Sequence, residues 1–165
     1  MPTALNAIRR LSEALFQYTH VDDMVRQTLH AALEVIGADA GSVLLANAET
    51  GRLVFRYVVG ETAASLQGTG ILWDEGIAGA VFASGNPEVI SMVQQDARHY
   101  AAMDALTGFQ SRDMIVVPLK RHGGNPVGVI EILNKNKGPV NRHDLDTLVV
   151  ISAIAAAAIE QSKAF

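Results

Sequence analysis

The sequence predicts an α+β fold with a central antiparallel sheet of five or six strands. Helical periodicity marks both ends of the chain, at 4–18 and 142–163, while short β-type runs fill the middle. Two of these runs, Met114–Leu119 and Val127–Leu133, flank the turn-forming cluster His122–Asn125, which indicates an antiparallel hairpin. Both hairpin strands are apolar on both faces, so the sheet needs cover on both sides. We therefore expect the N- and C-terminal helices on one face, and a small helix with loops on the other.

Two helices open the chain. The first has Thr3 in the N-cap position and apolar side chains at helical spacing, namely Leu5, Ile8, Leu11, Leu15 and Tyr18. The second begins near Asp22–Asp23, whose carboxylates suit a helix N-terminus, and runs to the residue before Gly37. Glycine at that position is a typical helix stop.

Short strands and a small helix follow. Two strands are expected at 42–46 and 53–59, then a helix at 77–84 and a strand at 88–91. Alternation along the second strand predicts two faces, one with Leu53, Phe55, Tyr57 and Val59 and the other with Val54, Arg56 and Val58. The polar stretch 94–108 has no regular pattern, and a compact domain rarely keeps such a loop unless it covers something.

The last helix, 142–163, is apolar on all sides through its alanine-rich middle. A helix that packs only against its own sheet needs a single apolar face, so a second partner is implied. We expect a homodimer through the terminal segments, 1–20 and 142–165. The alternative is burial of this helix between the sheet and the first helix of the same chain.

The composition excludes several classes of protein. Of the 165 residues, 49% are apolar and 18% charged, which is typical of a single globular domain, 1–165. The net charge of −4 comes without a basic stripe, which argues against a nucleic-acid surface. There are no cysteines, so disulfides and thiolate chemistry are excluded. No signal peptide is visible, and the apolar run Thr147–Ile159 is shorter than the ~20 residues that span a bilayer. We expect a cytoplasmic protein without membrane contact.

One carboxylate interrupts the apolar pattern of the hairpin. Glu131 shares a strand face with Val127, Val129 and Leu133. Burying even an unpaired polar group costs about 2–7 kcal/mol, so something must satisfy this side chain. One explanation is a structural partner such as Arg112 or Lys120. The other is that Glu131 faces a polar cavity.

Three segments of the chain are similar to the GAF domain, a sensory module of cyclic-nucleotide phosphodiesterases and adenylyl cyclases. They are Gly76–Gly79, Tyr100–Phe109 and Pro126–Lys135, and the likeness extends from Leu5 to Ile159. Asn134-Lys135 with Asp144 resembles the Asn-Lys-Phe-Asp-Glu signature of nucleotide-binding members, although Val140 and Leu145 replace its Phe and Glu. The resemblance implies a GAF/PAS-like fold in which Asn134, Lys135 and Asp144 brace the strand end against the last helix.

The resemblance also implies a ligand site that the small helix and the loops cover. Its positions correspond to Ser42, Ile77, Ala78, Tyr100, Asp104, Thr107, Ser111 and Glu131. Val58-Val59 stands where the family's Phe-Asp pair stacks on and recognises the purine. The start of the helix at 77–84 favours an anion, and the carboxylates favour the N–H groups of a base. The implied ligand is a small molecule, and the first candidate is a cyclic purine nucleotide (cAMP or cGMP).

We therefore expect a sensory, regulatory domain that is not an enzyme and carries no cofactor or metal. No catalytic triad or phosphate-binding loop is visible, and the GAF-fold methionine sulfoxide reductases use cysteines that this chain lacks. His99, alone in a polar loop, is weak support for the histidine ligand of haem-binding GAF domains. The alternative is a dimerisation scaffold without a ligand, or a domain for another metabolite, that regulates an attached or partner output domain.

Overall fold

The computed structural model describes residues 3–18, 20–61, 63–91, 95–96 and 112–163. Its helices are α1 (Ala4–Leu15), α2 (Val21–Ile36), α3 (Ala63–Leu66), α4 (Gly76–Ser84) and α5 (Arg142–Lys163). Its strands are β1 (Ala38–Asn47), β2 (Arg52–Val59), β3 (Gly70–Leu72), β4 (Glu88–Ile90), β5 (Met114–Leu119) and β6 (Gly128–Lys135). They form one six-stranded sheet in the order β3-β2-β1-β6-β5-β4, and every neighbouring pair is antiparallel. The predicted α+β fold class is confirmed.

The sheet is centred on β1, β6 and β5. The predicted hairpin is present, with Val116 of β5 opposite Glu131 of β6. On the other side of β6, Glu131 lies opposite Ser42 of β1. The backbones of β1 and β6 approach so closely that a Cβ atom on Gly128 would overlap the carbonyl oxygen of Leu44. Glycine is therefore required at this position.

Helices α1, α2 and α5 cover one face of the sheet, as predicted for the terminal helices. The apolar cluster beneath them includes Leu29, Ile115, Ile130, Leu148 and Ile151, all fully buried. The ends of α1 and α2 follow the sequence signals: Thr3 Oγ1 accepts a hydrogen bond from Asn6 N at 3.1 Å, and Gly37 ends α2 with φ = 82°. Helix α1 is shorter than expected, because it ends at Leu15 and not at Tyr18.

Helix α4 covers the opposite face. A second apolar cluster lies there, formed by Ile77, Ala78 and Val81 of α4 with Leu44 and Val129 of the sheet, among others. The two faces are therefore separate cores, one beneath the three long helices and one beneath α4. The predicted loop 94–108 falls almost wholly outside the described residues.

A β-bulge in β2 overturns the predicted division of that strand into two faces. Val43 of β1 lies opposite Tyr57, but the next residue, Leu44, lies opposite Phe55, so Arg56 is an extra residue. Before the bulge the alternation holds. After it the phase is reversed: Val58 joins Leu53 and Phe55 in the cluster under α4, whereas Tyr57 and Val59 pack on the side of α2.

Helix α5 has more apolar surface than the core of the chain buries. Residues Arg142–Ser162 are long and apolar enough, by length and composition alone, to cross a membrane, a criterion that core helices also meet. Here Leu148, Ile151 and Ile159 are buried in the helix-side core. Val149 and Val150 remain 38% and 44% exposed, so burial within the chain uses only part of the apolar surface of α5.

Candidate functional site

A row of five residues crosses the sheet on the face beneath α4. Val58 of β2, Ser42 of β1, Glu131 of β6, Val116 of β5 and Glu88 of β4 are consecutive cross-strand partners. Directly opposed residues project to the same side of a sheet, so these side chains form one line. The bulge in β2 is what brings Val58, and not Tyr57, into this row.

Glu131 is the polar centre of the row, and no described residue neutralises its charge. Within the described part of the chain, no hydrogen bond or ion pair reaches its carboxylate, and neither Arg112 nor Lys120 pairs with it. The side chain is partly buried, and desolvation raises the pKa of Glu131 from 4.5 to about 7. The carboxyl group is therefore close to half-protonated near neutral pH.

Ser42 and Val116 are the immediate neighbours of Glu131 on the adjacent strands, and both are buried. At the centre of the described row, the polar groups are the Ser42 hydroxyl and the Glu131 carboxyl, which lie between Val58 and Val116. Such a floor can exchange a few hydrogen bonds with a small molecule and bury an apolar part of it.

The start of α4 supplies a second polar element near the same cluster. Glu75, its N-cap residue, makes no side-chain hydrogen bond to the helix, because Oε2 accepts from Leu72 N at 3.0 Å instead. Gly79 is packed so tightly on the preceding turn that a Cβ atom there would lie 2.7 Å from the Asp74 carbonyl carbon. A helix start without a side-chain cap leaves N–H groups that favour an anion.

The residues predicted to brace the end of β6 make a set of short contacts. Lys135 Nζ lies 2.7 Å from Asp144 Oδ2, with both side chains largely buried. Asp144 also accepts from Asn141 N at 3.0 Å, and Asn141 Oδ1 accepts from Asp144 N at 2.9 Å. Asn134, with φ = 54°, accepts from Arg112 N at 2.7 Å through Oδ1. These contacts tie β6 to the start of α5 and to the segment before β5.

Four of the eight ligand positions predicted from the resemblance lie on or beside the α4 face: Ser42, Ile77, Ala78 and Glu131. The other four, Tyr100, Asp104, Thr107 and Ser111, lie outside the described residues. Sequence reasoning placed Val58 near the ligand only through the resemblance, because alternation without the bulge assigned it to the wrong face. It missed Glu88, whose place in the row depends on strand order. Among the described residues, no group of three or more His, Asp or Glu side chains could hold a metal ion.

The fold is that of an α+β domain with a six-stranded antiparallel sheet, and comparisons with known proteins identify its family. The family model described as GAF domain matches residues 19–160. The chain therefore belongs to the GAF domain family.

Two curated relatives are phosphodiesterases. A stretch of 68 residues, 41% of the chain, is 37% identical to dual 3′,5′-cyclic-AMP and -GMP phosphodiesterase 11 of Drosophila melanogaster, and covers 5% of that protein. Over 154 residues, 88% of the chain, identity is 25% to probable 3′,5′-cyclic phosphodiesterase pde-5 of Caenorhabditis elegans, of which 21% is covered. The chain thus spans a small part of the curated relatives it matches.

Solved structures agree on the fold. The GAF domain of a phosphoenolpyruvate-protein phosphotransferase from Coxiella burnetii superposes with a TM-score of 0.86 at 15% identity, covering 98% of this chain and 95% of that one. Free methionine-R-sulfoxide reductase from Neisseria meningitidis, in complex with its substrate, gives 0.81 at 21% identity, covering 98% and 90%. At these identities the likeness establishes the fold alone.

Proposed function

We propose that this GAF domain is a regulatory sensor that binds a small ligand between its sheet and α4, with a cyclic purine nucleotide as the first candidate. The observation that carries the proposal is Glu131, a partly buried carboxyl on the face beneath α4 that has no hydrogen bond or ion pair among the described residues. Leaving such a group unsatisfied costs free energy, and a ligand that hydrogen-bonds to it recovers that cost.

The polarity of the face supports a ligand with an anion at one end and N–H groups at the other. The start of α4, which has no side-chain cap, favours the anion, whereas an anion beside ionised Glu131 would be repelled. A cyclic nucleotide oriented with its base toward Glu131 fits this polarity. The named relatives are phosphodiesterases of cyclic nucleotides, which supports the same choice. In this proposal Ser42, Ile77 and Ala78 line the site with Glu131, and Tyr100, Asp104, Thr107 and Ser111 complete it.

Isothermal titration calorimetry with cAMP and with cGMP tests this site, with thermal shift as a second readout. The wild-type protein is expected to bind at least one nucleotide, and Glu131→Ala to bind it at least tenfold more weakly, a loss of about 1.4 kcal/mol. Glu49→Gln, in the exposed turn between β1 and β2, is the matched control and is expected to bind as the wild type does. Absence of binding at millimolar nucleotide would overturn the nucleotide part of the proposal.

A second candidate function, dimerisation through the terminal helices, is favoured by an apolar groove between α1 and α5. The groove has a volume of about 560 Å³ and is lined mainly by apolar side chains, including Leu15, Met24 and Ile154. Phe16, at the end of α1, also lines it and is 90% exposed. An exposed aromatic ring beside an apolar groove suits a two-fold interface, in which Phe16 of each copy enters the groove of the other.

Such a dimer would pass the ligand signal to an attached or partner output domain in the cytoplasm. The signal needs only a difference in ligand affinity between two helix arrangements, typically ~1–3 kcal/mol of coupling. Light scattering after size exclusion tests the interface. Phe16→Ser is expected to shift the protein toward monomer, whereas Leu72→Ser, which removes a half-exposed leucine on β3, leaves it dimeric. A monomeric wild type at high micromolar concentration would contradict the dimer.

A further inference from the structure

A pocket with charged walls lies between the start of α2 and the middle of β2. It has a volume of about 390 Å³, within the ~300–1,000 Å³ that is typical of small-molecule sites. Its polar lining includes Asp22 and Arg26 of α2, Arg56 and Tyr57 of β2, and Gln67 after α3. No described residue of the proposed nucleotide site lines this pocket, so the two sites can be tested separately.

The bulge in β2 supplies two of these side chains. Arg56, the extra residue, donates from Nη2 to Asp22 Oδ1 at 2.5 Å, and the hydroxyl of the next residue, Tyr57, is 2.8 Å from His30 Nε2. Both partners belong to α2, so two consecutive side chains of β2 face the same helix. Regular alternation would place them on opposite faces. Bulges are frequent beside functional sites because they redirect side chains in this way.

The charges that line the pocket do not balance. Arg56 is paired with Asp22, but among the described residues no carboxylate pairs with Arg26. The guanidinium of Arg26 lies 5.4 Å from the centre of the Tyr57 ring, whose hydroxyl contacts His30. An aromatic ring therefore positions Arg26 without neutralising its charge. The described lining carries two positive charges and one negative charge, in a chain whose net charge is −4.

Gln67 adds a neutral hydrogen-bond donor to the pocket. Its Oε1 accepts from Val58 N at 3.4 Å, and its Nε2 makes no hydrogen bond among the described residues. Backbone hydrogen bonds hold the following residues against β2: Thr69 O accepts from Phe55 N at 2.9 Å, and Gly68 N donates to Phe55 O at 2.8 Å. The pocket therefore presents guanidinium and amide N–H donors on an ordered frame, which lowers the entropic cost of binding an acceptor.

We propose that this pocket binds a small oxyanion, a carboxylate or a phosphate ester, with Arg26 as its main contact. A planar guanidinium can donate two parallel hydrogen bonds to either group. The remaining N–H groups of Arg56 and the Nε2 of Gln67 can donate to the other oxygens. Asp22 opposes the binding, because its negative charge lies close to the bound anion and partly neutralises Arg56. Substitutions of Arg26 and of Asp22 are therefore expected to change the affinity in opposite directions.

NMR titration of the ¹⁵N-labelled protein with inorganic phosphate, and separately with succinate, tests the proposal at constant ionic strength. Saturable shifts are expected at the backbone amides of Arg56, Tyr57 and Gly68 with at least one of these anions, and the anion that binds more tightly identifies the ligand class. Arg26→Gln is expected to weaken that binding about tenfold, because it removes hydrogen bonds between charged groups. Asp22→Asn is expected to tighten it several-fold.

Arg52→Gln is the matched control. It removes the same charge from an exposed position at the start of β2, outside the pocket, and is expected to bind as the wild type does. Circular dichroism checks that each variant is folded, and tighter binding by Asp22→Asn is an effect that misfolding would not produce. The proposal would be overturned by the absence of saturable shifts with both anions at high millimolar concentration. Equal weakening in Arg26→Gln and Arg52→Gln, or no tightening in Asp22→Asn, would also overturn it.

Discussion

Two carboxyl groups show how differently the two sides of the sheet treat a buried acid. On the helix side, Asp144 is 6% exposed and accepts from Lys135 Nζ and from Asn141 N. On the α4 side, Glu131 has no hydrogen bond or ion pair among the described residues, and burial alone raises its pKa. The first acid is satisfied by the chain itself, and the second is left for a proton or a ligand.

The difference separates an acid that has a partner within the chain from one that has none among the described residues. A paired acid contributes to stability through its partner, so removing the partner is costly. An acid without a partner costs free energy when it is ionised, so making it permanently neutral is stabilising. Opposite responses to mutation are therefore expected on the two sides.

The largest expected effect is on the helix side, for Lys135→Met. The change keeps the volume but leaves Asp144 as an uncompensated acid, so the free energy of unfolding is expected to fall by about 3–5 kcal/mol near neutral pH. Urea denaturation measures it. Arg142→Met is the matched control: its partner Asp146 and Arg142 itself are both mostly exposed, so the expected loss is below about 1 kcal/mol. Equal losses in the two variants would contradict the structural role of the buried pair.

The next largest effect is a gain in stability, expected for Glu131→Gln on the α4 side. Glu131 holds its proton more tightly in the fold, with a pKa of about 7, than in the unfolded chain, where the value is 4.5. Glu131 therefore costs the fold no stability below about pH 4.5, and its ionisation costs about 3 kcal/mol as the pH rises through 7. Glu131→Gln removes this loss, so its advantage over the wild type should grow from about pH 5 to about pH 8.

Urea denaturation across this pH range measures the growth, and Glu49→Gln provides the control for general charge effects. If the wild type and Glu131→Gln changed in parallel with pH, Glu131 would not be the titrating group. A saturating ligand that pairs with the carboxylate is expected to reduce the difference between them, because it supplies the missing partner.

The architecture could be predicted from the sequence because the signals that define it are local. Periodicity in α2 and α5, the glycine at 37 and the turn before β6 each depend on neighbouring residues. Alternation also correctly grouped Glu131 with Val129 and Leu133, but Val127, which precedes β6, packs against the helix-side cluster instead. Whether Glu131 had a partner could not be predicted, because an ion pair with Arg112 or Lys120 depends on the three-dimensional arrangement of side chains, and among the described residues neither pairs with it.

The bulge in β2 shows where the alternation of side chains along a strand fails to predict which face each residue occupies. Arg56 is neither a glycine nor flanked by one, so the local sequence does not predict a β-bulge at this position. Whether β2 forms a bulge at Arg56 depends on its pairing with β1, and the register between the two strands shifts between Val43 and Leu44. The composition of the candidate site is sensitive to this detail, because the bulge decides that Val58 faces α4.

A smaller loss of stability is expected for substitutions of Asn134, at the end of β6. Asn134 has positive φ and accepts from Arg112 N through its side chain. Asn134→Ala loses this bond and places a Cβ residue without a polar side chain in the left-handed region, so a loss of about 1–2 kcal/mol is expected. Asn134→Gly keeps the backbone conformation and should lose less. If the two variants lost equal stability in thermal unfolding, the lost side-chain hydrogen bond and not the positive φ would dominate.

The smallest effect tests the bulge itself. Tyr57 lies on the α2 side, where its hydroxyl is 2.8 Å from His30 Nε2 and Arg26 lies 5.4 Å above its ring. Tyr57→Phe removes only the hydroxyl, so the loss of stability should be about 0.5–1 kcal/mol. Backbone amide chemical shifts should change at Arg26 and His30 but not at Ile77 and Ala78 of α4. Val58→Ala should do the reverse, because the extra residue Arg56 turns Val58 toward α4. Changes at α4 in Tyr57→Phe would mean that β2 alternates without interruption, and that the row containing Glu131 ends in an aromatic ring after all.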